Sequence, residues 1–162
     1  MPVTPALRPV TDDDWPGIVA LEFEAYAATG LSEDPAVLAT RADPGTSYVL
    51  ATADGIVGHL LALRYPRFRW PDLTRAATAV HGCANLHLHD LVVARTHRHQ
   101  GLGGRLVRHL LRQARRRACA TVSLVAVEGS AGFWSAHGFH PHPGIAVPAG
   151  YGPGAGYLSR TL

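Results

Sequence analysis

The feature that most constrains this chain is a glycine-rich segment, Arg98-His99-Gln100-Gly101-Leu102-Gly103-Gly104, set between two stretches of different periodicity. Before it, Asn85 to Ala94 (NLHLHDLVVA) reads as a strand that ends in a buried Val92-Val93 segment. After it, Leu102, Leu106, Leu110 and Ala114 recur every four residues as the core stripe of a helix. Arg105, Arg108, Arg112, Arg115 and Arg116 form the opposite stripe and read as a solvated face. Strand, glycine turn and helix N-terminus, in that order, bring free N–H groups and the positive end of a helix dipole to one spot, which suits a phosphate. The segment is not a P-loop, because no Gly-Lys-Ser/Thr follows. Nor is it the dinucleotide GxGxxG, since Leu106 stands where the third glycine belongs. Another phosphate-bearing ligand is implied.

The remaining periodicities build one α/β domain around this unit. Thr11 followed by three aspartates predicts a helix N-terminus, and Ile18, Leu21 and Ala25 carry that helix towards a stop at Gly30. Ser32 is placed to cap a short second helix through Val37 and Leu38. Ser47–Ala53 and Ile56–Leu63 read as strands joined at Asp54-Gly55. Residues 64–84 are irregular: Tyr65, Phe68 and Trp70 alternate with Arg64, Arg67 and Arg69, and Pro66 and Pro71 break regular structure. A further strand is expected over Thr121–Val127 and a short helix over Ser130–His137, ended by Gly138. A Gly/Pro-rich tail finishes in a strand from Tyr157 to Leu162.

Composition removes several function classes. At 162 residues the chain is long enough for one core and too short for two ordinary domains, so 1–162 is read as a single domain. No apolar run approaches the ~18 residues of a membrane span, and two cysteines cannot make a disulfide framework. The opening residues show no basic-then-apolar leader, so a cytoplasmic setting without membrane partners is the expectation. The fifteen basic residues are all arginine, and the net charge is +3. The aromatic–arginine stretch at 64–70 admits a nucleic-acid reading, but no other nucleic-acid motif supports it, and a packed loop or pocket wall is preferred.

Arg98-x-x-Gly101-x-Gly103 resembles the pyrophosphate loop of the GCN5-related N-acetyltransferases (GNAT). Phe133-Trp134-x-x-x-Gly138-Phe139 matches that superfamily's aromatic pair before a Gly-Phe, in the right order along the chain. Within the superfamily, His87-Leu-His89-Asp-Leu-Val-Val and Gly138-Phe-His-Pro-His142 are similar to the serotonin (arylalkylamine) N-acetyltransferases, whose corresponding strand carries a His-Leu-His. The resemblance is clear over 84–142, looser over 8–63, and weak in the 64–83 loop and the tail. It implies a mixed, mostly antiparallel, splayed sheet flanked by helices, with acetyl-CoA as cosubstrate and no metal. It further implies that Leu91, Val92 and Val93 hold the pantetheine arm, and that one backbone N–H steadies the thioester oxygen. The backbone of Arg98, His99, Gln100, Gly101, Leu102, Gly103 and Gly104 takes the pyrophosphate, and Phe133 and Trp134 complete the cofactor side.

The acceptor would be a primary amine of a small molecule, an arylalkylamine or similar, attacking directly in a ternary complex. An amine reaches the site mostly as ammonium, so a base must take its proton, and imidazole has a suitable pKa. His87 and His89, two apart on a strand, share a face and by resemblance are the catalytic pair. Asp90 is expected on the opposite face, where it would orient neither ring. One departure stands out: the family usually has tyrosine, credited with protonating the leaving thiolate, where this chain has Trp134, and indole is no practical acid. Tyr151, Tyr157 and, less directly, His137 are the alternative groups. Substrate walls are expected from Leu31–Pro35, the Tyr65–Trp70 loop and the Tyr151 region. Two other readings stay open: an acyl-CoA-binding fold without turnover, and an acetyltransferase acting on a protein amine. A metal held by His87-x-His89 is disfavoured because Asp90 falls one residue early for a His-x-His-x-Asp pattern.

Overall fold

The three aspartates after Thr11 start the first helical layer much as the sequence suggests. A computed structural model describes residues 3–162, and in it Asp12–Asp14 form a single 3-10 turn that runs into α1, Trp15–Tyr26. The Asp14 carboxylate accepts from the Thr11 N–H at 2.8 Å and from both terminal nitrogens of Arg8 at 2.7 and 2.8 Å. The Arg8 hydrogen bond leads, against burial, in holding its pKa down at about 2. Gly30, at φ 73°, closes a further 3-10 turn after α1. The short helix α2, Pro35–Ala39, is capped by Asp34, whose carboxylate accepts from the Ala36 N–H at 2.9 Å. Ser32, the expected cap, lies too far upstream, because Pro35 suits the first helical position and sets the start there.

Seven strands form one sheet: β1 (Ala6–Pro9), β2 (Tyr48–Thr52), β3 (Gly55–Arg64), β4 (Asn85–Val93), β5 (Thr121–Ala126), β6 (His140–Pro141) and β7 (Gly156–Thr161), in the order β1-β2-β3-β4-β5-β7-β6. Only β4 and β5 run parallel; the other neighbours are antiparallel. The helix α3, Leu102–Arg116, makes the crossover between them, as a parallel pair requires. The short strands β1 and β6 carry no periodicity long enough to read from sequence. The two residues between β2 and β3 are Ala53 and Asp54, and Gly55 at φ 124° opens β3 opposite Thr52.

Helices cover both faces. Leu106, Leu110 and Ala114 of α3 pack on Leu60, Leu86, Leu88 and Val122, joined by Trp134 of α4 (Ala131–Ala136) and by Phe139. On the other face Ile18 of α1 and Leu38 of α2 close over Val49 and Leu61. The exposed arginines of α3 lie away from the sheet, as the stripe predicts; Arg105 is half-buried and donates to the Pro5 carbonyl.

One irregularity matters for the site. Across the β3–β4 ladder Leu61 pairs with Asp90 and Ala62 with Leu88, which leaves His89 as the extra residue of a bulge. Strict alternation therefore fails at this point, and Asp90 does not lie on the opposite face. It shares the α1-side face with Leu61 and His59, so the sequence expectation for Asp90 is corrected by the bulge.

Candidate active site

β4 and β5 pair over only three residues, Asn85–Thr121, Leu86–Val122 and His87–Ser123. Beyond them the strands part, so the β5-facing edge of residues 88–93 has no ladder partner. Leu88, Leu91, Val92 and Val93 on one side and Leu124, Val125 and Val127 on the other line a cavity of about 390 Å3 that opens from this gap. That lies within the range of small-ligand sites.

The turn into α3 borders the same cavity. Gly101 is the helix N-cap at φ 74°, a left-handed conformation in which glycine carries no penalty. His99 is also left-handed, at φ 62°. Among the described residues, no amide of 99–104 donates to a backbone carbonyl, so these N–H groups are free to meet an anion. Arg98 and Gly103 line the cavity, and the Arg98 Nε–H donates to the Val93 carbonyl at 3.3 Å, joining the turn to the end of β4. A Cβ at Gly103 would stand 3.4 Å from the Phe133 ring. His99, Gln100, Gly101, Leu102 and Gly104 shape the turn without lining the cavity: Leu102 is buried in the core, and Gly104 abuts Arg108 and His137.

Past the strand gap the cavity wall changes from apolar to ionisable. His89 lines it, and its Nε2–H donates to Glu33 Oε2 at 2.6 Å. The other oxygen, Glu33 Oε1, accepts from Arg41 Nε at 3.0 Å and lies 2.9 Å from its Nη2. Arg41 is 1% exposed, and the same Nη2 reaches the carbonyls of Asp72 and Arg75 at 2.7 and 2.8 Å. His89 Nδ1 is buried and has no hydrogen-bond partner among the described residues.

His87 occupies a different environment. Its ring centre is 6.3 Å from that of His89, but it does not line the cavity and is 1% exposed. Its Nδ1 lies 3.1 Å from Ser123 Oγ, and Tyr65 packs beside it. Burial, and then the charges of His89 and Arg41, push its pKa down to about 3, so it is neutral near pH 7.

A second buried pair adjoins the cluster. His59 Nε2–H donates to Asp90 Oδ2 at 2.6 Å, with His59 fully buried. Burial alone would raise the Asp90 pKa, but the charge and hydrogen bond of His59 outweigh it and hold the carboxyl below its ordinary value. Tyr26 and Glu22 of α1 also line this end, and burial pushes both of their pKa values up.

Several expected contributors fall elsewhere. Leu31, Glu33 and Tyr151 do line the acceptor end, but Tyr65, Phe68 and Trp70 do not. Phe68 and Trp70 pack on Tyr157, and the only residue of the 64–84 loop on the cavity is Leu73. Trp134 is 7% exposed, lines the cavity and packs on Phe133 and Phe139. Tyr157 accepts from the Phe68 N–H at 2.8 Å away from the cavity, and His137 faces a separate surface hollow. Tyr151 lines the cavity, and its hydroxyl donates to the Pro71 carbonyl.

Glu22, Tyr26, Arg41 and His59 are absent from the sequence-derived site, and Glu33 enters it only as part of the Leu31–Pro35 wall, not as the partner of His89. Two of them left a trace. Glu22 falls four residues after Ile18, on the apolar stripe of α1, and His59 interrupts the apolar run of β3. A lone polar residue on a buried face requires a partner. Arg41, just after α2 in ordinary polar sequence, left none, and nothing in sequence marks Glu33 as its partner.

Residues 8–139 match the Acetyltransferase (GNAT) family, and the chain belongs to it. No curated protein matches the chain. Among solved structures, the ribosomal-protein-S18-alanine N-acetyltransferase from Escherichia coli superposes with a TM-score of 0.72 at 15% identity, covering 97% of this chain and 93% of that one. Ard1 from Thermoplasma volcanium gives 0.73 at 20% identity, covering 99% of each chain. A GNAT-like decarboxylase, GphF, in complex with isobutyryl-CoA gives 0.73 at 20% identity, covering 96% and 98%. At these identities the likeness is one of fold: a single α/β domain with a seven-stranded mixed sheet flanked by four helices.

Proposed function

We propose that the protein is an acetyl-CoA-dependent N-acetyltransferase that acetylates the primary amine of a small molecule, an arylalkylamine or similar. The observation that carries this reading is the continuity of one cavity. It runs from the turn at Arg98 and Gly103, through the gap between β4 and β5, to His89 and Glu33. The pyrophosphate of acetyl-CoA lies on the turn of 98–104 at the start of α3, where the amides of 99–104 are free. Its pantetheine arm takes up the unpaired edge of Leu91–Val93, as an added strand does. The acetyl group then faces His89, with Phe133 and Trp134 against the arm.

The amine nitrogen attacks the thioester carbonyl carbon, a C–N bond forms and the C–S bond breaks. The nitrogen's proton passes to His89, directly or through water. Because Glu33 takes the Nε2 hydrogen, Nδ1 is the ring nitrogen free to receive it. His87 stays neutral behind His89 and preserves the local polarity without storing a proton. The departing thiolate has a pKa of about 8.5 and leaves with little assistance, so Trp134 in place of an acid is tolerable.

A protein acceptor is less well served, because Leu73 and Tyr151 stand over the acceptor end on loops joined by the Tyr151–Pro71 hydrogen bond. The test is thiol release from acetyl-CoA against a panel of amines, followed by His89→Gln on the best of them. Loss of the base is expected to lower kcat by about a hundredfold or more with the acetyl-CoA Kd unchanged. Binding of acetyl-CoA without turnover of any amine refutes the proposal in favour of a non-catalytic acyl-CoA binder.

A further inference from the structure

We propose that Arg41 is a positioning residue for the transfer step: it holds Glu33 against His89 and ties the 71–75 loop over the acceptor end to the same carboxylate. The proposal rests on the acetyltransferase reading of the cavity. Arg41 does not line the cavity and touches no reacting atom. Yet one guanidinium joins two distant segments: Glu33 ahead of α2, and the 72–75 loop through the carbonyls of Asp72 and Arg75. That loop contributes Leu73 to the wall, and its Pro71 carbonyl accepts from Tyr151 on the far side. A peripheral structural arginine would not need to be buried with its charge on the carboxylate that orients the only histidine of the cavity lining.

The charge balance explains why a cation is required there. Glu22 and Tyr26 from α1, His59 from β3, His87 and Asp90 from β4, and Tyr151 from the turn before β7 face the same cluster. His59 is already paired with Asp90. Among the described residues Arg41 is therefore the permanently charged group on Glu33, since guanidinium does not deprotonate. Without it, Glu33 would be an uncompensated buried carboxylate 2.6 Å from the imidazole, and His89 would keep its proton as the countercharge. A protonated imidazole has no lone pair for the amine's proton. The sign follows: losing Arg41 disables the base at neutral pH and restores it as pH rises.

Arg41→Met and Arg41→Lys, assayed across pH 5.5–9.5 with the best amine, test this. Arg41→Met should move the acid limb of the kcat profile up by about one pH unit or more, and so lose more rate at pH 6.5 than at pH 8.5. Arg41→Lys keeps the charge but cannot hold Glu33 and both carbonyls at once. It should leave the limb in place while raising the amine KM by about fivefold or more. Should Arg41→Met fail to fold, Arg41→Lys decides alone: an unmoved limb with a raised KM supports the proposal, and an unmoved KM overturns it. A wild-type limb in folded Arg41→Met also overturns it. If no amine is turned over, histidine 15N NMR of the free protein separates the two failures. His89 should carry hydrogen on Nε2 alone at pH 7 in the wild type and on both nitrogens in Arg41→Met, whereas identical spectra overturn the positioning role.

Discussion

Replacing His59 by leucine isolates the energetics of the buried pair behind the acceptor site. His59 is fully buried, and its bond to Asp90 at 2.6 Å is the only ion-pair-type contact of that carboxylate within 4 Å among the described residues. Leucine fills most of the space but strands Asp90 as a buried charge, a loss of about 3–5 kcal/mol for pairs of this kind. The carboxylate borders the cavity, so the low end, about 3 kcal/mol, is expected. For a domain of this size that corresponds to a fall in Tm of roughly 6–12 °C.

The pH dependence provides the internal control. Asp90 has a depressed pKa in the folded protein, so its contribution is present above the unfolded pKa and is lost as pH falls through the folded one. In His59→Leu the two largest effects opposing burial are gone and the carboxyl pKa rises, so protonation relieves the strain as the pH falls. The stability gap between the two proteins, read by urea denaturation, should therefore narrow between pH 7 and pH 4. Adding Asp90→Asn to His59→Leu removes the stranded charge and should regain about half of the loss. A loss below about 1 kcal/mol at pH 7, or no recovery in the double variant, would refute the reasoning.

Two further substitutions probe the cofactor side. Gly103→Val places methyl groups against Phe133, which a Cβ alone already meets at 3.4 Å. The acetyl-CoA Kd measured by calorimetry should weaken by about tenfold, equivalent to 1.4 kcal/mol, with little change in Tm; an unchanged Kd would place the cosubstrate elsewhere. Trp134→Tyr restores a phenol beside the cavity. If a thiolate of pKa about 8.5 leaves unaided, kcat should change by less than about threefold, and a tenfold gain would show that the missing acid limits turnover.

The part of the site that depends on contiguous residues was legible. Strand, glycine turn and helix follow one another within 85–116, and Phe133 and Trp134 lie on the next helix, so their approach to the turn needs no long-range contact to be guessed. The ionisable half was not legible, for two reasons. Its bonds join residues far apart in sequence: His89 with Glu33 across 56 positions and His59 with Asp90 across 31. Polar residues on separate elements carry no shared periodicity that would mark them as partners. The second reason is the bulge at His89, since a period of two assigns every residue of β4 a face only while the register holds.

The bulge is also what makes the cluster possible. In an unbroken β4, His89 and Asp90 would point to opposite faces, and Asp90 would stand among the leucines of the α3 layer. One extra residue turns both towards α1, where Glu22, Tyr26 and Glu33 lie beside buried Arg41 and His59. The same strand then resumes with Leu91 and Val93 packed on the α3 side and with its β5-facing edge unpaired. The apolar and ionisable ends of one cavity are thus set by a single register shift within β4. Restoring the register would remove Asp90 from His59 and change the face presented at Leu91, so the two halves of the site could not be altered independently there.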